Sequence, residues 1–80
     1  MKIPAIKRLV ESQTLASLVE AEEALLDERK PGFEVEGEDD GEQLTHIFAA
    51  IFILNHMKDH GSEFKDALRE YTKKVRVSIS

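Results

Sequence analysis

His56 and His60 stand four residues apart, the spacing that puts two side chains on one face of a helix, and paired neutral imidazoles so placed can ligate Zn²⁺ or Ni²⁺. Between them lie Met57, Lys58 and Asp59. The metalloprotease pattern H-E-x-x-H needs a glutamate base directly after the first histidine, where this chain has methionine, and the Lys58 ammonium opposes a bound cation. The commoner reading is a helix-terminal pair that complements the helix dipole. His46 lies fourteen residues before His60. That is about 21 Å along a helix axis at ~1.5 Å per residue, so the three imidazoles cannot converge within one chain.

The second cluster is acidic. Glu34, Glu36, Glu38, Asp39 and Asp40 offer hard oxygen ligands of the kind Ca²⁺ or Mg²⁺ prefers. Glu36, Glu38 and Asp40 alternate before Gly41 as in an EF-hand, but the twelfth position of that register is Ile47 rather than glutamate. A solvated acidic loop is the simpler reading, and its acids also suit the positive end of a following helix dipole. Glu42 and His46, spaced i, i+4, have an acid–base pair's residue types but read as a routine contact on a helix surface. No G-x-S-x-G turn, Gly-rich phosphate loop or E-x-x-H pair occurs. With no nucleophile, base and oxyanion donor in workable relation, the chain is expected not to be an enzyme, and no catalytic, cofactor or metal residue is assigned. Tyr71, the single tyrosine, is placed on the buried stripe of its helix with its hydroxyl at the rim.

Composition narrows the setting. The chain has 80 residues, no cysteine and a net charge of −5. Absence of cysteine excludes disulfides, thiolate zinc sites and Fe–S clusters and favours the cytoplasm. The start, Met1 to Arg8, carries no apolar signal-peptide core, and the longest apolar run, Ile47 to Leu54, falls far short of the ~20 residues that span a bilayer. No membrane role is expected. Charge is uneven: residues 1–10 carry +3, residues 11–42 carry −10 and residues 43–80 carry +2. So acidic a middle, with no basic stripe interleaved with aromatics, disfavours nucleic acid. Lys73, Lys74 and Arg76 suit a solvated helix end.

Four helices are needed to position these groups. Pro4 starts the first, a short one over about 4–11, with Ile3 before it extended by the proline rule. Ile6, Leu9 and Val10 form its apolar face. The second is expected over about 15–29, capped by Thr14, with Leu15, Leu18, Val19, Ala21, Leu25 and Leu26 inward, and it ends at Pro31 and Gly32. Acidic loop 30–41 follows; Phe33 and Val35 alternate with Glu34 and Glu36, which marks residues 32–36 as a short extended segment. The third helix is expected over about 40–60. Asp39 with Glu42, or Asp40 with Gln43, gives a capping box, and Gly61 is its stop. The fourth is expected over about 62–77, capped by Ser62, with Phe64, Ala67, Leu68, Tyr71 and Val75 inward and Val77 and Ile79 as a tail.

The third helix decides the architecture. From Ile47 to Leu54 every residue is apolar, and eight consecutive positions cover the full circumference at ~3.6 residues per turn. Three short helices cover two of its sides, so the last side needs a second molecule. The expected fold is an all-α, small four-helix bundle-like single domain, completed by homodimerisation. An 80-residue chain buries only about 60% of its unfolded surface, which adds weight to pairing.

The segments Met1-Lys2-Ile3-Pro4-Ala5-Ile6-Lys7, Gly41-Glu42-Gln43-Leu44-Thr45-His46 and Ala67-Leu68-Arg69-Glu70-Tyr71 resemble a family of short, uncharacterised bacterial proteins of about this length. The resemblance covers nearly the whole chain and brings no activity or site residue with it. It implies a free-standing bacterial cytoplasmic protein. The function expected is a non-enzymatic interaction protein, an obligate homodimer whose acidic second helix and loop 30–41 meet a basic protein partner. The alternative is a divalent metal or small-ligand binder using the acidic loop or the His56 and His60 pair.

Overall fold

Apolar residues recur at helical spacing between strong stop signals, and four helices result. The computed structural model describes residues 2–79, with side chains over residues 2–75. It contains α1 (Ile3–Ser12), α2 (Leu15–Leu26), α3 (Asp40–His60) and α4 (Phe64–Ile79). The chain is all-α and bundle-like, as the spacing predicts. α3 is the axis on which α1, α2 and α4 each pack. Its Ile47, Ala49, Ala50 and Ile53 are buried with Ile6, Leu9 and Val10 of α1, Leu18, Ala21 and Leu25 of α2 and Ala67 of α4 in one core.

The ends of the helices show where local rules win and where they lose. Ile3 is helical rather than extended. Lys2 takes the extended geometry instead (φ −109°, ψ 114°), and its carbonyl accepts from the N–H groups of Ala5 and Ile6 at 3.1 and 3.2 Å. Pro4 lies in the first turn, where its missing N–H has no helix carbonyl to reach, so the helix starts one residue before it. Thr14 caps α2 as expected: Oγ1 accepts from Ser17 N–H at 3.2 Å, and Ser17 Oγ accepts from Thr14 N–H at 3.0 Å. At the start of α3, Asp39 Oδ1 accepts from Glu42 N–H at 2.8 Å, so Asp39 and not Asp40 is the cap. Gly61, at φ 62°, closes α3 with its N–H on the Met57 carbonyl.

α2 ends at Leu26, three residues short of the expected stop and before Pro31 and Gly32 come into play. Glu28 turns left-handed (φ 59°), its N–H reaches the Leu25 carbonyl at 3.1 Å, and Arg29 N–H reaches the Ala24 carbonyl at 2.7 Å. These two bonds are a Schellman motif, whose left-handed position usually belongs to glycine. An L-residue there costs about 1–2 kcal/mol. Glu28→Gly is therefore expected to stabilise the fold by about 1 kcal/mol, offset in part by glycine's larger unfolded freedom, and a urea titration with unchanged slope measures it.

Four further expectations are corrected. α4 begins at Phe64 rather than 62, with the Glu63 carbonyl accepting its first helical N–H groups, and the Ser62 hydroxyl is used elsewhere. α4 also runs on to Ile79, so no separate tail starts at Val77; the side chains of Val77 and Ile79 lie outside the described residues. On α2, Val19 and Leu26 are exposed instead of buried. They sit about 80–100° around the helix from Leu18, beyond the face that α3 covers. Finally, no strand occurs among the described residues: 32–36 is irregular chain, with Val35 buried and Phe33 half-buried against the core.

Candidate functional site

His46 is fully buried, the one polar residue so placed among those described. Its Nδ1 lies 2.7 Å from the Glu36 carbonyl oxygen, which can only accept, so Nδ1 carries the proton and donates. Nε2 then holds the lone pair that accepts the Lys2 N–H at 3.0 Å. The imidazole is thus neutral, fixed in one tautomer, and ties together the residue before α1, the loop and α3. This corrects the surface contact expected of Glu42 and His46. The signal was present in the sequence, since His46 shares a face with Ala49, Ala50 and Ile53 at three, four and seven residues. Backbone partners from distant segments leave no trace in spacing. Gly37 makes the approach possible: at φ 148°, a Cβ there would meet Gln43 backbone nitrogen at 2.9 Å.

The acidic loop is only partly a solvated charge run. Glu36 forms a two-pronged ion pair with Arg8 of α1, Arg8 Nε donating to Oε2 at 2.7 Å and the second guanidinium nitrogen to Oε1. The hydrogen bond from Arg8 holds the Glu36 carboxyl below its usual range, and the same pair raises the Arg8 guanidinium. The sign follows: a carboxyl lowered on folding adds stability above its unfolded titration and loses it as pH falls through the folded one. Both side chains are largely exposed, so salt screens the gain. Arg8→Ala is expected to lower Tm at neutral pH, and the gap to wild type is expected to close once pH is below both titrations. Thermal melts across that range measure it. Asp39 is spent on the α3 cap, and among the described residues no three His, Asp or Glu groups converge for a metal.

His56 and His60 do meet, with ring centroids 4.4 Å apart. Phe52 stacks on His56 at 6.0 Å and tilts against Tyr71 at 5.5 Å, while Lys74 Nζ sits 5.4 Å from the Phe52 centroid. His56 Nδ1 is 2.9 Å from the Ser62 hydroxyl, which explains why that hydroxyl does not cap α4. Phe52, His56, His60 and Lys74, with Asn55, Asp59 and Glu70, line an open groove of about 440 Å³ between α3 and α4. Burial pushes the Tyr71 phenol up, so it remains a neutral hydroxyl at neutral pH. The groove can bind through imidazole, carboxylate and ammonium groups over an aromatic floor. Its lining residues include no serine, threonine or cysteine.

The outer face of α3 is the remaining feature. Within the apolar run Ile47, Ala49, Ala50 and Ile53 are buried and Ile51, Phe52 and Leu54 half-buried, but Phe48 is 44% exposed. Leu44, Thr45, Phe48, Ile51, Phe52 and Asn55 fall within about 120° of one another around the helix, which makes a strip without charge. Sequence spacing did anticipate an uncovered side, though not that Phe48 would be its centre. No described helix is long and apolar enough to cross a membrane.

Over residues 1–80 the chain matches, and belongs to, a family of unknown function (DUF6952). No curated protein and no solved structure matches it.

Proposed function

We propose that this member of the family is a small, non-enzymatic interaction protein of the bacterial cytoplasm, an obligate homodimer that presents an acidic surface to a basic protein partner. The exposure of Phe48 carries the reading: a phenylalanine in the middle of the most apolar segment, on a strip without charge, is an unfilled half of a core. Total area supports it. A 9.1 kDa monomer is expected to expose about 4,900 Å², and this chain exposes 5431 Å². Pairing two α3 strips removes apolar surface at about 25 cal/mol per Å² before the costs of association.

The partner surface is the outer side of α2 with loop 30–41. Glu20, Glu23, Glu34, Glu38 and Asp40 are all exposed. A basic partner held by such charges binds less tightly as salt rises. Sedimentation equilibrium at micromolar concentration tests the dimer. Pull-down from bacterial lysate at low and high salt, with and without Glu20→Lys and Glu23→Lys together, tests the surface; no salt-sensitive partner lost on charge reversal would count against it.

A second reading rests on the groove between α3 and α4. Ser62 holds His56 through Nδ1, and the His60 ring lies 4.4 Å from it centroid to centroid, which favours a divalent metal or small polar ligand there. Calorimetric titration with Zn²⁺ and Ni²⁺ separates the two, since absent heat together with an unchanged Tm leaves the interaction reading alone.

A further inference from the structure

α3 carries two faces, and its own chain uses one of them. Ala49, Ala50 and Ile53 belong to the core. On the opposite side Gly41, Thr45, Phe48, Phe52, Asn55 and Asp59 follow one another at steps of four, three, four, three and four residues, the alternation that keeps a seam on one side of a helix at ~3.5 residues per turn. Phe52 is half-buried and the other five are exposed. A seam of this period is what one helix offers to another. Its two halves differ in shape. The N-terminal half ends on the exposed ring of Phe48, while Phe52, Asn55 and Asp59 of the C-terminal half lie in the groove of about 440 Å³ beside α4. One half is a knob and the other a recess with an aromatic floor.

We infer, resting on the homodimer proposed above, that the groove between α3 and α4 receives Phe48 of a second copy of this chain and that the two α3 helices run antiparallel. Read in reverse, the seam is its own complement. An antiparallel pair centred between Phe48 and Phe52 sets Phe48 against Phe52, Thr45 against Asn55 and Gly41 against Asp59, and each pairing occurs twice about the two-fold axis. Two aromatic rings share the central layers, and a hydroxyl and an amide able to hydrogen-bond share the next. In the outer layers the Asp59 carboxylate comes to the first turn of the opposite α3, where the N–H groups lack helix acceptors and the dipole favours an anion. Gly41 puts no side chain in its way. A parallel pair would instead set Asp59 against its own copy, a like-charge contact within the seam, and would offer each groove a second Phe52 in place of Phe48. Charge and shape therefore choose the same direction.

Because the chain has no cysteine, single thiols report the register directly. Thr45→Cys and Asn55→Cys both alter exposed positions and leave the core intact. In the antiparallel pair position 45 of one copy faces position 55 of the other, as a disulfide requires, whereas the two copies of position 45 lie about 15 Å apart along the axis at ~1.5 Å per residue, beyond a disulfide's reach. Under mild oxidation of the full chains, each variant alone is expected to give no disulfide-linked dimer, and their equimolar mixture to give one with the mass of one copy of each. A disulfide-linked dimer from either variant alone would mean a parallel pair. No disulfide in the mixture, while the reduced variants sediment at twice the monomer mass, would mean that pairing uses another face. Either result overturns the antiparallel register and leaves the homodimer standing. A parent chain that sediments as a monomer removes both.

Discussion

Phe48→Glu is expected to sediment at 9.1 kDa where the parent chain sediments at twice that mass. The substitution separates the subunit from the pair because Phe48 is 44% exposed and leaves no cavity in the core when replaced. In a pair related by a two-fold axis across α3, each new carboxylate would be buried against an apolar strip with its symmetry copy nearby. An unpaired charge in such a place costs about 2–5 kcal/mol, which weakens association by roughly thirty- to several thousand-fold. Far-UV circular dichroism at the same concentration should show helicity retained. Val19→Glu, an equally exposed apolar position on α2, is the control and is expected to leave the mass unchanged. A parent chain already at 9.1 kDa across micromolar concentrations would refute pairing outright.

What the sequence made legible follows from the range of each rule. Caps and stops act over four residues, and so Thr14, Asp39 and Gly61 stand where their types place them. The apolar run of α3 marks it as the central helix by composition alone, and its neighbours confirm it. Misplacements arose where a local rule competed with another. Glu28 took the left-handed turn before Pro31 could break α2, and Ser62 gave its hydroxyl to His56 instead of a cap. The stripe assigned to α2 was too wide because apolar type does not say how far around a helix its neighbour reaches.

Contacts between distant segments were the least legible. Arg8 and Glu36 are 28 residues apart, and Lys2 and His46 are 44 apart. Neither pair belongs to one helix, so no periodicity joins them. The acidic loop showed the same limit: five carboxylates read as one solvated run, yet Glu36 is bound to Arg8, Asp39 caps α3 and Glu34, Glu38 and Asp40 stay exposed. Burial could have been read for His46 from its face on α3, but its partners are backbone atoms, which every residue carries and none advertises.

Ile53→Ala is expected to have a large effect on stability, matched in α3 by the equally buried Ile47. Ile53 is fully buried in the core shared by α3 and the helices around it. Removing its outer carbons loses transfer free energy and leaves a cavity that rigid neighbours cannot fill, at about 2–5 kcal/mol. A domain of this size has a total of about 4–12 kcal/mol, so the loss runs from a sixth to the whole. The same truncation at Phe48 is expected to cost an isolated subunit far less. Urea titrations at two protein concentrations separate subunit stability from pairing. If α3 pairs, the parent midpoint rises with concentration. Phe48→Ala should abolish that rise, while Ile53→Ala should lower the midpoint at both concentrations and leave the rise in place.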